Sequence, residues 1–443
     1  MGSNDEKFSI PPTLKGTKTG TFVYETIKDR WPTIVSKLVN QFHTKHRDLP
    51  EVYGDEANQD VKDILAHLSE MRYRMMTNKR LELLEDKFED VKMYNKLVQD
   101  KLDIAEQGGQ KATWFDADWL FVECYLYRRI YGVVYSTKAM SQYDYFKDQK
   151  CEGFDHHADQ IIDALTLLKS YLSTPSNNEN DEIHLSALFK QCIWGNRADL
   201  SLSAGEHTVH NHDSEALAAL DHLLIVNDLP RIFRYIRKMR IRSGSSRRLD
   251  IILDNAGIEL ASDMIFAEFI LANDVADEVI FHMKKTPWFV SDVTKSDWDW
   301  TVEAFKKLQG DLGACFGRQM EKRVQDGSIK LRDDLFWTSP HPFCSMKEVA
   351  PALHKDLSKS ALLIFKGDLN YRKLVGDREW HPTDSFLTAV QGFRPAPFVA
   401  LRTLKAETIA GVSEGAYRHL LAQFKTSNEW MVSGTHAVIQ FHE

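Results

Sequence analysis

The chain reads as an α+β protein. A helical N-terminal half, about residues 1–240, sets against a C-terminal α/β half, about 241–443, with a mainly parallel sheet. Three observations predict this. Apolar residues recur at helical spacing through most of residues 21–170. After Arg248 the texture changes to short apolar runs (LDIILDN, EVIFHMK, ALLIFKGDLN, PFVALRT), separated by helical patterns such as GIELASDMIFAEFILAN and MKEVAPALHKDLSKS. Strands alternating with helices of that length indicate a parallel sheet covered on both faces. No Gly/Ser-rich or Pro-rich linker divides the halves, so the boundary fits an interface inside one compact unit.

Taken in order, YETIKDRWPTIVSKLVNQFHTKH (24–46) places Ile27, Trp31, Ile34, Val35, Leu38 and Phe42 on one stripe. DEANQDVKDILAHLSEMRYRM continues the pattern. WLFVECYLYRRIYGVVYS (119–136) is apolar on several faces, which predicts a central helix. Residues 171–184 are polar and turn-rich and read as a loop, with helix again at 185–193 and 214–240. No internal repeat is evident.

Composition narrows the function classes. A length of 443 residues suffices for one large or two medium domains, and 43% hydrophobic with 27% charged residues is the balance of a soluble globular chain. A formal charge of −8 argues against general nucleic-acid binding, which needs a basic surface. The basic run RKMRIRSGSSRR (237–248) reads as a solvated loop before a strand. Five dispersed cysteines make neither a CxxC zinc pattern nor a disulfide framework, which fits a reducing compartment. MGSNDEKFSIPP lacks a signal-peptide core, no run of 18 uncharged apolar residues follows, and Glu6 stands where a myristoylation pattern wants Ser or Thr. The expected location is cytoplasmic or nuclear, with no membrane association.

In a parallel sheet, ligands bind outside the carboxyl ends of the strands. Asp254 and Asn255 follow the first run. Asp292 follows EVIFHMK and WFVS. Lys366, Gly367, Asp368, Asn370 and Arg372 follow ALLIF, and Arg402, Thr403 and Lys405 follow FVAL. Carboxylates with an amide oxygen suit Mg²⁺ or Mn²⁺, whereas Arg and Lys suit a phosphate. GxGxxG and GxxxxGK[ST] are both absent, so no nucleotide site of those kinds is expected. Each residue also has a plainer reading: Asp254 and Asp292 as helix caps, Glu259 as a first-turn acid, Arg372 and Lys405 as solvated cations. What favours a site is that all fall at one end of separate strands. His207, His210 and His212 read as a polar loop, having no cysteine partner nearby. Asn196 and Asp199, in WGNRADLSLS, are placed to close the crevice from the helical side.

These stretches also carry a resemblance. WLFVECYLYRR (119–129), WGNRADLSLS (194–203), LDNAGIEL (253–260), FKGDLNYRKLVGD (365–377) and LRTLKAE (401–407) resemble, in order, the motifs of the metal-dependent damage-control phosphatases, once catalogued as domain of unknown function 89. The RTLK run points to the family's eukaryotic sugar-phosphate branch. The resemblance implies a helical domain packed on a three-layer α/β/α sandwich. It implies Asp254, Asn255 and Asp292 as ligands of Mn²⁺, Co²⁺, Ni²⁺ or Mg²⁺. It implies Asp368, Leu369, Asn370, Tyr371, Arg372 and Lys405 as sugar-phosphate contacts, with Glu123, Arg128, Asn196, Asp199 and Glu259 as lining residues. The implied reaction is hydrolysis of small phosphometabolites such as fructose 1-phosphate and fructose 6-phosphate. Two nucleophiles fit it, a metal-activated water or Asp254 itself. Two other readings stand beside it: S-adenosylmethionine-dependent methylation of protein carboxylates, an activity attributed within the same branch, and a non-enzymatic helical scaffold.

Overall fold

Residues 10–109, 111–194, 220–241, 246–424 and 428–443 are described by a computed structural model. The stripe around Trp31 forms α1 (Trp31–Lys45), preceded by a π-helical turn at Thr26–Arg30. It packs on α2 (Ala57–Met76) and on α3 (Trp119–Tyr135), which is buried almost all round, as its unbroken apolar surface requires. These helices enclose one core, reaching from Leu14 to Phe146.

Two expectations change just beyond it. The polar stretch read as a loop at 171–184 is mostly helical: α4 (Ala158–Ser173) ends there and α5 (Asn178–Trp194) begins. Glu179 and Asp181 sit in the first turn of α5, where acids favour a helix start. Among the described residues of the helix expected over 214–240, Asp221–Leu223 is a single 3-10 turn, Leu224–Asn227 is strand β1 and Leu229–Ile241 is helical, as α6. LIVN is too short to show a period distinct from the helix that follows it.

The remaining strands are β2 (Arg248–Ile252), β3 (Glu278–His282), β4 (Ile329–Arg332), β5 (Leu362–Lys366), β6 (Phe398–Thr403) and β7 (Ala437–His442). They form a seven-stranded sheet in the order β1-β7-β6-β5-β2-β3-β4, parallel except where β6 meets β7. Both faces are buried, and alternate residues divide between them. Leu249, Ile251, Leu362, Ile364, Val399 and Leu401 face the core shared with α4, α5, α6, α7 (Ile258–Ala272), α8 (Lys295–Lys307) and α9 (Asp311–Gln325). Ile252, Leu363, Phe365, Phe398 and Ala400 face a second core with Trp337, Phe343 and α10 (Gly367–Val375). The sandwich therefore begins well before residue 241. From Phe154 onward the helices share the sheet's core, and only the preceding helices have a core of their own.

Candidate active site

The strand order creates the crevice. From β2 the chain moves outward to β3 and β4, then returns to the other flank of β2 for β5 and β6. β2 and β5 are thus the neighbours from which connections leave in opposite directions, the place where open parallel sheets bind ligands. Asp254 follows β2 there. Gly367 opens α10 at φ 82°, and a Cβ on it would meet Asp254 Oδ2 at 1.9 Å. Only glycine lets the two chains approach this closely. Around them lies a cleft of about 260 Å³ lined by Cys192, Ile193, Asp254, Asn255, Glu259, Gly367, Leu401, Thr403, Lys405, Ser433 and Gly434.

The loops after β2 and β3 are joined by their backbones. Val293 N–H donates to Asp254 O at 2.9 Å, Ala256 N–H donates to Ser291 O at 2.8 Å, and Asn255 pairs with Asp292 in an isolated bridge. Asp254 and Asp292 are consequently buried side by side. The Asn255 amide is fixed from both ends. Its Nδ2 donates to Asp254 Oδ2 at 2.8 Å and to Glu259 Oε2 at 2.9 Å, and its Oδ1 accepts from Ser291 Oγ at 2.5 Å.

Lysines surround these acids. Lys284 Nζ lies 2.9 Å from Asp292 Oδ2 and donates to Leu253 O at 3.0 Å. Its approach to Asp292 is an ion pair without hydrogen-bond alignment, since Asp292 Oδ2 is buried and accepts no hydrogen bond. Lys366 Nζ binds both Asp263 oxygens, at 2.8 and 3.1 Å, and Glu259 Oε1 at 3.0 Å. Burial opposes the Lys366 ammonium, but Asp263 and Glu259 hold it charged to a pH well above the ordinary lysine range. Burial likewise drives the Asp254 carboxyl well above the usual carboxylate range; the Glu259 and Asp292 charges push it further, while Lys284 and Lys405 pull it back. Asp292 is raised by burial against the pull of Lys284. Both carboxyls thus stay above the ordinary range despite the lysines beside them.

Two buried carboxylates are hard ligands of the kind a divalent ion takes while keeping water, and the Asn255 amide beside them turns its Nδ2 to Asp254 and its Oδ1 to Ser291. Among the described residues no three His, Cys, Asp or Glu side chains come together as a group that could hold a metal ion.

The other expected residues divide. Lys405 lines the cleft as an exposed cation, and no ion pair of its ammonium is found among the described residues. Asp368 accepts from Arg402 Nε at 2.8 Å and from Lys405 N–H at 3.1 Å, so it positions the Lys405 loop. Burial works against the Asp368 carboxylate, yet Arg402 and Arg372 hold its pKa below the ordinary value. Asn370 Nδ2 donates to the carbonyls of Ile252, Leu253 and Lys366, tying α10 to the ends of β2 and β5.

Several side chains are not brought to the cleft. Leu369 and Tyr371 are buried in the two cores, and Tyr371 OH donates to Ala410 O. Arg372 is engaged by Asp377 at 2.9 and 3.1 Å and by Glu123 Oε2 at 2.5 Å, and lies 3.5 Å from the Trp119 ring centre. Glu123 also accepts from Trp31 Nε1, so this pair joins the helical core to α10. Arg128 is held by Asp86 and Asp90 within the helical region. Asn196 and Asp199 lie outside the described residues, as do His207, His210 and His212.

Sequence reasoning missed Lys284, Ser291, Asp263 and the Ser433–Gly434 wall. Lys284 ends the run EVIFHMK and was readable as another strand-end residue. Ser433 and Gly434 precede a strand and were not. They reach the cleft because β7 runs antiparallel, which puts its start, Ala437, beside Thr403 at the end of β6.

Comparison with known proteins agrees over nearly the whole chain. The damage-control phosphatase ARMT1-like domain matches residues 26–420. The rat protein named damage-control phosphatase ARMT1 is similar at 36% identity over 434 residues, 97% of this chain and 98% of its own. Its zebrafish (Danio rerio) namesake is 36% identical over 437 residues, covering 97% of both chains. The human one is 35% identical over 437 residues, covering 98% of both.

Proposed function

The chain belongs to the ARMT1-like damage-control phosphatase family, and from that premise we propose that it is a metal-dependent phosphomonoester hydrolase of small sugar phosphates. Fructose 1-phosphate and fructose 6-phosphate are the substrates this reading names first. The observation that carries it is the burial of Asp254 and Asp292 side by side at the switch point, with Lys405 on the same cleft.

In this reading Asp254, Asn255 and Asp292 hold Mn²⁺, Co²⁺, Ni²⁺ or Mg²⁺. When bound, such an ion supplies Lewis-acidic positive charge at the phosphoryl group. The chain does the rest. The first-turn N–H groups of α10, which have no partner within a helix, face a phosphate set beside Gly367. The Lys405 ammonium neutralises the charge that grows on the phosphoryl oxygens. Thr403 and Ser433 offer hydroxyls to the sugar from the same cleft. Asp254 orients a water for in-line attack. As a nucleophile it would be better served by a second acid two residues on, and that position is Ala256.

Methyl transfer draws no support from the turn after β2. Gly257, the glycine a nucleotide-like cofactor would need there, has φ 74°, and a Cβ on it would pack against Gly153 at 3.3 Å. A pure scaffold has no use for buried acids that are only partly neutralised. Phosphate release from a panel of sugar phosphates, run with each of the four metals and with chelator, tests the proposal. Release that depends on added metal is expected. Release indifferent to chelator, or none from any sugar phosphate with any metal, would overturn it.

A further inference from the structure

The segment that delivers Asp292 contains uncommon backbone for its residue types. Phe289 and Val290 are consecutive and both at positive φ, 45° and 71°. The other non-glycine residues at positive φ among those described are Asn78, Asp274, Asp377 and Gln391. Polar amide and acid side chains tolerate that region far better than a β-branched one, for which it is a genuine outlier. Ser291 N–H donates to Phe289 O at 2.9 Å, which closes a three-residue turn centred on Val290. That is the γ-turn with positive φ, the rare and strained form.

Its neighbours show what the turn achieves. One residue on, Ser291 offers its carbonyl to Ala256 N–H and its hydroxyl to Asn255 Oδ1. The next residue is Asp292, whose N–H returns to Trp288 O at 3.1 Å. The reversal at Val290 therefore presents two successive residues to the Asp254–Asn255 loop. The helical region holds the turn in place. Tyr127 of α3 stacks on Phe289 with ring centres 4.5 Å apart at 25°, and Trp288 is buried in the helical core. Strain of this kind persists only where its surroundings over-determine it, and it concentrates at functional sites.

We propose that Val290 is a positioning residue for the ion site: the strained turn at Phe289–Val290, clamped by Tyr127, fixes Asp292 and Ser291 against Asp254 and Asn255. The inference rests on the metal-binding reading above. It extends that reading by giving the helical region a role in ion affinity through an aromatic clasp.

Val290→Gly is the test, because glycine adopts positive φ without strain and lets the turn relax into other conformations. A residue that served only packing would lower the melting temperature and leave ion affinity alone. The expectation here is the reverse. The melting temperature stays level or rises, while calorimetric titration shows Mn²⁺ affinity about tenfold weaker, the scale seen when groups supporting metal ligands are lost. Parental affinity in Val290→Gly beside a parent that binds Mn²⁺ would overturn the positioning role and leave the metal reading intact. A parent that binds no Mn²⁺ would overturn both.

Discussion

Lys405 is held at its backbone by Asp368, while no ion pair of its ammonium is found among the described residues. A fixed framework with a charge at the cleft is what a transferring phosphoryl group needs. Lys405→Ala is therefore expected to lower turnover on fructose 1-phosphate about a hundredfold, roughly 3 kcal/mol of transition-state stabilisation. Mn²⁺ affinity should stay parental. Lys405→Arg should recover only part of the turnover, since the guanidinium is planar and reaches further. Steady-state phosphate release at saturating Mn²⁺ measures both variants. Gly367 is the residue at which one methyl decides the site. Its Cβ would fall on Asp254 Oδ2, so Gly367→Ala should abolish Mn²⁺ binding and also destabilise the fold by more than about 1 kcal/mol, because φ 82° is closed to alanine. Calorimetry and thermal melting together check that pair of effects. Much of this site was legible from polar residues at strand ends, because a parallel sheet sends every such end to one edge. Arg372 and Glu123 show where that argument stops. Sequence names a charged residue near the edge, but only packing reveals that its charge is already spent on a partner from another element.

At the scale of elements, β2, β3 and the β5 approach share a buried polar cluster inside the sheet. Asp250 accepts from Arg248 at 2.8 and 2.6 Å, contacts His282 Nε2 at 2.8 Å, and accepts from Ser360 Oγ. Burial opposes the Asp250 carboxylate, but His282 and Arg248 outweigh it and lower its pKa. A carboxyl depressed in the folded state stabilises the fold above its unfolded pKa, about 3.9, and loses that contribution as pH falls through the folded value. Asp250→Asn should therefore cost about 1–3 kcal/mol at neutral pH, where it removes one of the two carboxylates on Arg248 and leaves Asp356 as the other. The deficit should shrink as the pH drops below about 4. Denaturant melts of parent and variant across that range measure it. β2, β3, β5 and β6 were readable from sequence because each is a β-branched run ending in polar residues. β1, β4 and β7 were not. LIVN adjoins a helix, IKLR alternates too briefly to register, and AVIQFH stands at the end of the chain without a helix after it.

Over the whole molecule, the helical region and the sandwich are joined through charged groups as well as apolar ones. Arg372 bridges Glu123 of α3 and Asp377 after α10 while lying on Trp119. Trp288, Leu369 and Ala406 enter the helical core from the sandwich side. Arg372→Lys should lower global stability by about 3 kcal/mol, because lysine cannot span two carboxylates as a planar fork does. It should leave KM for the sugar phosphate nearly unchanged in the folded fraction. Thermal melting with initial-rate kinetics separates this from a substrate contact, which would raise KM and spare the melt. Asp254 and Asp292, carried by separate strands, are predicted to share one divalent ion. Anomalous diffraction at the manganese edge from crystals soaked in Mn²⁺ tests it most directly. A single peak within bonding reach of Asp254, Asn255 and Asp292 is predicted. A soaked crystal with no peak there, or with its only peak away from both carboxylates, would rule out a shared ion.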